Sequence, residues 1–355
     1  MRTIINTVGT SLLSNAARIL TVAEPGEKEL LRFINDNSPE QACAETNSLA
    51  KLRKEGDRLI FLHSETQQGR LCAEVLCRYF RSRDCVCSLL PIRDLSYQES
   101  RFKIRGLRSL VNSIIQTIVE ERKKGVDLIL NATGGFKAEI AYATLIGLLF
   151  DIPVYYIHEA FKDIIEMPPT PIGWDYSLIA EHEDFFFWID EEPRETTEVD
   201  KKIKQLPPEI RLLLIEEEGF TFLSPAGEVF FQAFRDQLTM SAGYPVLLSA
   251  QAHKTYQALE DSVRRRFDRE IVKIRSPILR RSGADQVNNC DCLVYPKGRR
   301  DERIFFFEKE GTVHICELSR HSDKSYERMI EKGVRKKHYK DFSKDIVLLD
   351  RTNNV

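Results

Sequence analysis

The sequence predicts an α/β and α+β multidomain protein: a doubly wound parallel sheet at the N-terminal end, a small helical module after it, and a small basic α+β fold at the C-terminal end. Three observations predict this. A chain of 355 residues exceeds one ordinary core, because domains commonly run about 100 to 150 residues. In the first half, short apolar runs alternate with long segments whose apolar residues recur at three and four, the pattern of strands joined by crossover helices. The formal net charge of −2 is also unevenly distributed: residues 245–345 hold 23 basic and 16 acidic side chains, which leaves the remainder acidic. A basic end on an acidic body points to a polyanion partner for that end alone.

The first apolar run, Thr3 to Val8, ends in Gly9-Thr10-Ser11 and leads into helix-like sequence. "DRLIFLHSETQQGR", "VCSLLPIR" and "VDLILNATGG" supply further strands, with "GRLCAEVLCRYFRSR" and "FKIRGLRSLVNSIIQTIVEERKKG" as helices between them. Ligands of doubly wound sheets sit beyond the carboxyl ends of the strands, near the switch in strand order. Two such ends look alike here, Gly9-Thr10-Ser11 and Thr133-Gly134-Gly135-Phe136-Lys137, the second opening a helix. Glycines let backbone approach a ligand, helix N-termini present unpaired N–H groups, and hydroxyls and Lys137 add donors and positive charge. The pair therefore reads as a phosphate cradle, although it is neither the dinucleotide fingerprint nor a P-loop. Ser11 is equally suited to cap its own helix.

In the middle, "EHEDFFFWIDEEPRETTEVDKK" reads as a closing strand, Phe185 to Trp188, and an acidic linker, which puts the end of the first domain at residue 190. Residues 195–240 form the second module: Pro207 and Pro208 suit a first helical turn, Ile210 to Ile215 an apolar helix face, and "FTFLSPAGEVF" a wing and following helix. Glu216, Glu217 and Glu218 on its would-be reading surface repel phosphates, so a spacer or protein-docking role is expected and DNA is not.

Residues 245–345 form the third module. Basic helices follow Ser249, and Ile304–Glu308 and Val313–Leu318 flank Lys309-Glu310-Gly311, a natural hairpin turn. Eight cysteines are too few for a disulfide scaffold, and Cys85-Val-Cys87 and Cys290-Asp-Cys292 read as buried reduced thiols on strands. His314 and Cys316 complete no finger spacing with them, so no metal is expected. No run reaches the roughly 18 apolar residues that span a bilayer and no secretory signal is present, so no membrane partner and a cytoplasmic location are expected.

Residues 1 to about 165, with "NTVGTSLL", "NATGGFKAE" and "DIPVYYIHE", resemble the CARF sensor domains of type III CRISPR-associated effectors, a Rossmann-like fold. The resemblance implies a homodimer that binds a cyclic oligoadenylate across its two-fold axis through Gly9, Thr10, Ser11, Thr133, Gly134, Gly135 and Lys137. A ring with an even number of phosphates shares that symmetry. Cyclic tetra-adenylate is the first expectation for this allosteric activator, with no cofactor besides, and Ser11 and Lys137 are the candidates for slow cleavage of the ring. The middle module resembles a winged helix-turn-helix. Residues 249–340, through "LSRHSDKSYERMI", resemble the RelE superfamily of mRNA interferases. That likeness implies ribosome-dependent mRNA cleavage by the RNA's own 2′-OH, with Tyr326 as base and Arg303 and Arg320 on the phosphate. His321 becomes a candidate acid, and Lys297, Arg299 and Arg300 stand as substitutes for family lysines that have no true counterpart here. Arg264, Arg265, Arg266, Arg299, Arg300 and Lys336 would then grip RNA. The rival expectation is a CARF and winged-helix transcription regulator whose RelE-like domain is not catalytic.

Overall fold

A computed structural model of the protein describes residues 2–96, 105–157, 163–169 and 173–343. Its chain forms two compact units, Met1–Pro171 with Glu192–Gln232, and Ile172–Glu191 with Ala233–Val355.

The first unit is built on six strands, β1 Arg2–Thr7, β2 Arg58–Ser64, β3 Val86–Ile92, β4 Asp127–Asn131, β5 Val154–Tyr156 and β6 Ile165–Met167, in the order β3-β2-β1-β4-β5-β6. All neighbours are parallel except β5 and β6. The central strands are buried along nearly their whole length, as strands covered on both faces must be. On one face the helices Ser11–Leu20, Glu27–Asp36 and Gln67–Arg81 pack Leu12, Leu30, Phe33, Leu76 and Phe80 onto Ile4, Leu59 and Phe61. The order reverses between β1 and β4, so their carboxyl ends lie side by side at the switch point. His158 and Glu159 of the "DIPVYYIHE" stretch lie outside the described residues.

Residues 194–223 add a three-stranded antiparallel sheet to this unit: β7 Arg194–Glu195, β8 Leu214–Glu217 and β9 Phe220–Leu223, in the order β7-β9-β8. The helix face expected over Ile210–Ile215 is instead a 3-10 turn, Pro208–Leu213, running straight into β8. Leu214 and Ile215 are drawn into the ladder opposite Leu223 and Phe222, and the Leu213 carbonyl accepts the Ser224 N–H at 2.8 Å.

The second unit has five strands, β10 Val246–Leu248, β11 Asp285–Gln286, β12 Leu293–Tyr295, β13 Glu302–Lys309 and β14 Thr312–Arg320, in the order β10-β14-β13-β12-β11. The expected hairpin is present as β13 and β14; Glu310 and Gly311, with φ of 51° and 72°, make a two-residue turn of the hand that such hairpins need. The helix Asp261–Arg275 covers one face with Phe267, Ile271 and Ile274. The helix Lys324–Lys332 and the chain after it cover the other, with Tyr326, Met329, Tyr339 and Phe342 against Phe305 and Cys316.

Phe185 to Trp188, expected as a strand, lies in a helix, Glu183–Glu191, that belongs to this second unit. Helical spacing turns Phe185, Phe186 and Ile189 inward together and delivers Glu183 to a buried charge cluster. There Lys273 lies 3.0 Å from Glu183 and 2.9 Å from Glu270, and Arg300 lies 3.4 Å and 3.1 Å from the same two. Two carboxylates and two cations out of water hold only because each is paired. Replacing Lys273 by Met should therefore lower the stability of this unit by about 3 kcal/mol or more. Both tryptophans, Trp174 and Trp188, lie in it, so denaturant unfolding followed by tryptophan fluorescence checks the effect.

Candidate functional site

The two glycine loops meet. The Thr7 hydroxyl at the end of β1 donates to the Gly134 carbonyl at 2.6 Å. Gly9 and Gly135 approach so closely that a Cβ on Gly9 would lie 2.7 Å from the Gly135 nitrogen. Gly135 has φ +92°, a conformation glycine adopts at no steric cost. A buried ladder of side chains sets the loops: Asn131 donates to Asn6 at 2.9 Å and to Ser48 at 2.8 Å, and Thr133 donates to Asn131 at 2.7 Å while accepting the Ile157 N–H at 3.2 Å. Thr133 is thereby a support of the loop, with its hydroxyl committed inward. Gly9, Thr10 and Ser11 are half-buried, and Lys137 is exposed.

Two carboxylates lie under these loops, Glu45 and Glu139. Glu45, on the helix Ala44–Leu52, accepts the Gly9 N–H at 2.7 Å and the Ser11 hydroxyl at 3.3 Å. Ser11 caps nothing in its own helix; its oxygen takes the Ala44 N–H at 3.2 Å and so serves the helix of Glu45. Glu139, in the first turn of the helix Lys137–Leu149, is buried against Gly135, where a Cβ would sit 2.1 Å from Oε2. Burial, with the charge of Glu45 adding to it, outweighs the Phe136 N–H and pushes the Glu139 carboxyl up to about 7. The exposed ring of Phe136 stands beside Lys137 at the rim. No sequence signal marked Glu45; Phe136 and Glu139 were visible within the loop motif but given no role.

Elsewhere in the first unit a cleft of about 740 Å³ is lined by Arg93, Arg105, Arg108, Asn112, Glu217 and Phe220 among others. Its arginines meet acids of the hairpin and the helix after it: Arg105 pairs with Glu217 at 3.0 Å and Arg108 with Glu228 at 2.9 Å. The cleft therefore carries balanced charge.

In the second unit Arg320, the last residue of β14, is followed by His321 and the turn into the helix Lys324–Lys332, which carries Tyr326. The His321 ring stacks on Tyr326 at 5.0 Å, and Tyr326 packs against Phe305 at 6.1 Å. Arg320 holds Asp323 through two bonds of 3.1 and 2.8 Å. Asp301 braces the turn by accepting the Ser322 N–H at 2.8 Å and its hydroxyl at 3.0 Å; burial opposes its charge, but these bonds, Arg320 and Arg266 together hold it below the usual carboxylate range.

Arg303 does not join this cluster. It is buried, and its guanidinium donates to the carbonyls of Gly298, Glu302 and Arg300. It fixes the 298–302 turn, the part of a positioning group. Arg300 belongs to the buried charge cluster and also donates to the Ala180 and Glu181 carbonyls; Lys297 lies 4.0 Å from Asp175, and the Arg299 N–H is taken by Glu181. Arg264 donates to the Gln257 and Leu259 carbonyls and Arg266 to Glu302. Arg265 and Lys336 are exposed, the latter over the Phe307 ring at 5.6 Å. All eight cysteines are free and buried. Among the described residues no cluster of His, Cys, Asp and Glu has the arrangement of a metal site, and no helix is long and apolar enough to cross a membrane.

Residues 40–170 match the family model of CRISPR-associated protein (Cas_APE2256). The matched stretch contains Glu45, the second loop and Glu139; it does not include β1 and the loop after it. Among solved structures, Enterococcus italicus Csm6 bound to cyclic hexa-2'-fluoro-hexa-dAMP is similar at 12% identity and TM-score 0.27, over 44% of this chain and 34% of that one. The chain thus spans about a third of that protein's length. Protein VC1899 from Vibrio cholerae is similar at 9% identity and TM-score 0.30, over 68% of each chain. Can2 from Sulfobacillus thermosulfidooxidans in complex with cyclic tetra-adenylate is similar at 12% identity and TM-score 0.25, over 93% of this chain and 84% of that one.

Glu139 makes the site's stability depend on pH. Its folded pKa lies above the ordinary glutamate value of 4.5, so the native state binds more protons than the unfolded chain between about 4.5 and 7, and stability falls as pH rises across that window. A shift of this size corresponds to roughly 3 kcal/mol at full ionisation. Glu139→Gln should flatten this dependence and stabilise the first unit at pH 8, as read by thermal unfolding at pH 5 and pH 8. Gly134→Ala should do the reverse at any pH, because its Cβ would stand 2.2 Å from Glu45 Oε1 and 2.5 Å from the Thr7 carbonyl.

Proposed function

We propose that the protein is a cyclic-oligoadenylate-activated, ribosome-dependent mRNA interferase of type III CRISPR antiviral defence. The observation that carries the reading is the meeting of two glycine loops at the switch point of a doubly wound sheet, within a chain that matches a CRISPR-associated family over residues 40–170. In this reading the sensor lies within residues 1–190, less the stretch Ile172–Glu191 that packs in the second unit, with 195–240 a winged-helix module and 245–345 a RelE-like ribonuclease. Two sensors pair about a two-fold axis, and the ring, cyclic tetra-adenylate by preference, lies across it. Gly9, Thr10, Ser11, Gly134, Gly135 and Lys137 face its phosphates, and Phe136 offers a stacking surface for a base. The ring activates because it binds the active arrangement more tightly than the resting one.

The ribonuclease chemistry needs only side chains near the turn after β14. Tyr326 takes the proton from a ribose 2′-OH, whose oxygen attacks the adjacent phosphorus. The bond to the 5′-oxygen breaks, leaving a cyclic phosphate, and His321 supplies the proton to the departing oxygen. Arg320 offsets the charge growing on the phosphorane once the phosphate takes the place of Asp323. Arg303 keeps the neighbouring turn in shape, and Arg265 and Lys336 meet flanking phosphates. The Glu216–Glu218 stretch speaks against duplex DNA as the target.

Translating ribosomes incubated with the protein and cyclic tetra-adenylate should yield mRNA cuts that depend on the ring. Tyr326→Phe and Arg320→Ala should each slow them by about 10²-fold or more while leaving ring binding intact. Ring-independent cutting, or specific duplex binding without cuts, would contradict the proposal.

A further inference from the structure

The loops proposed to receive a phosphate already hold an internal anion. Glu45 occupies the Gly9 N–H and the Ser11 hydroxyl, two donors that a phosphate at this position would need, and it is almost completely buried. Glu139 lies beside it: the two consecutive glycines of the second loop are pressed one against each carboxylate, Gly134 against Glu45 and Gly135 against Glu139. The groups facing this pair are the Gly9 and Phe136 N–H groups, the Ser11 hydroxyl and the thiols of Cys43 and Cys72. Both thiols are held up by burial and then by the charge of Glu45, so neither is anionic near neutral pH. Among the described residues no lysine or arginine pairs with either glutamate, and Lys137 stands exposed at the rim. A phosphate entering here meets one carboxylate on its donors and a second within the same low-dielectric pocket, with no buried cation to offset them.

Resting on the sensor reading, we propose that the anionic ligand exchanges with Glu45 on the Gly9 N–H and Ser11 hydroxyl, and that the Glu45–Glu139 pair takes up a proton as it binds. The carboxylate thus stands in for the ligand in the resting state: it keeps the loop donors satisfied and the two loops in register until a stronger anion arrives. The physical cause of the uptake is repulsion, because a phosphate placed against an ionised carboxylate in a buried site raises that carboxylate's affinity for a proton. The sign follows. Glu139, already titrating near 7, is largely ionised at pH 8 and must regain its proton for the ligand to bind, whereas at pH 6 it is protonated beforehand. Affinity should therefore be level below about pH 7 and fall above it, by at most tenfold per pH unit for one proton.

Calorimetric titration of the full-length protein with cyclic tetra-adenylate, at pH 6, 7 and 8 and in Tris and HEPES at pH 8, reads both quantities. The wild type should bind at least several-fold more weakly at pH 8 than at pH 6 and should take up a fraction of a proton approaching one per site. Glu139→Gln should bind with little dependence on pH and little uptake. Glu45→Gln should bind more tightly at pH 8 if it folds, and Glu139→Gln decides the matter if it does not. Binding that is tight, equal at all three pH values and free of buffer dependence would overturn the exchange while leaving the sensor reading intact. Absence of binding by the wild type at every pH would overturn the sensor reading and the exchange with it.

Discussion

The arrangement of the first unit depends on one close approach: the carboxyl ends of β1 and β4, neighbours only because the strand order reverses there, are locked by the Thr7 hydroxyl on the Gly134 carbonyl and by glycine packed on glycine. Two loops more than a hundred residues apart in sequence become one surface with several backbone donors. The buried Asn6–Asn131–Ser48–Thr133 ladder beneath it leaves the loops little freedom. Such preorganisation is what lets backbone N–H groups compete with water for an anion.

The same surface shows how a protein satisfies buried loop donors internally. Unpaired N–H groups in a buried turn are costly, and an internal carboxylate removes that cost. Glu45 does this for the Gly9 loop, whereas in the second unit Asp323 pairs with Arg320 at the surface. In both places an acidic side chain occupies the position that the proposed function assigns to a phosphate. Each proposed ligand must win an exchange, so its net affinity is smaller than a count of its contacts implies.

Much of this was legible in the sequence. Alternation of short apolar runs with helical periodicity gave the doubly wound sheet, because strand and helix periods differ. The TGG turn and the Gly9 loop were recognisable because each follows a short apolar run and leads into helix-like sequence. The β13–β14 hairpin announced itself through Glu310-Gly311. What was not legible came from long-range geometry. Nothing in "CAETNSLA" marks Glu45 as the partner of Gly9, since that contact exists only after the helix Ala44–Leu52 docks. Phe185 to Trp188 looked like a strand because an aromatic run has no visible period at that length, and its acidic neighbours read as linker when Glu183 is in fact a buried partner of Lys273. Arg303 and Arg300 read as free cations; carbonyls and carboxylates of nearby turns claim them instead.

On the proposed function, the joined loops at the switch point receive a cyclic polyanion. A crystal structure of the protein soaked with cyclic tetra-adenylate tests it most directly. The account predicts a phosphate within hydrogen-bonding distance of the Gly9 N–H and of Lys137, with the Glu45 carboxylate turned away; a ring bound elsewhere, or Glu45 still on Gly9 beside a bound ring, would contradict it.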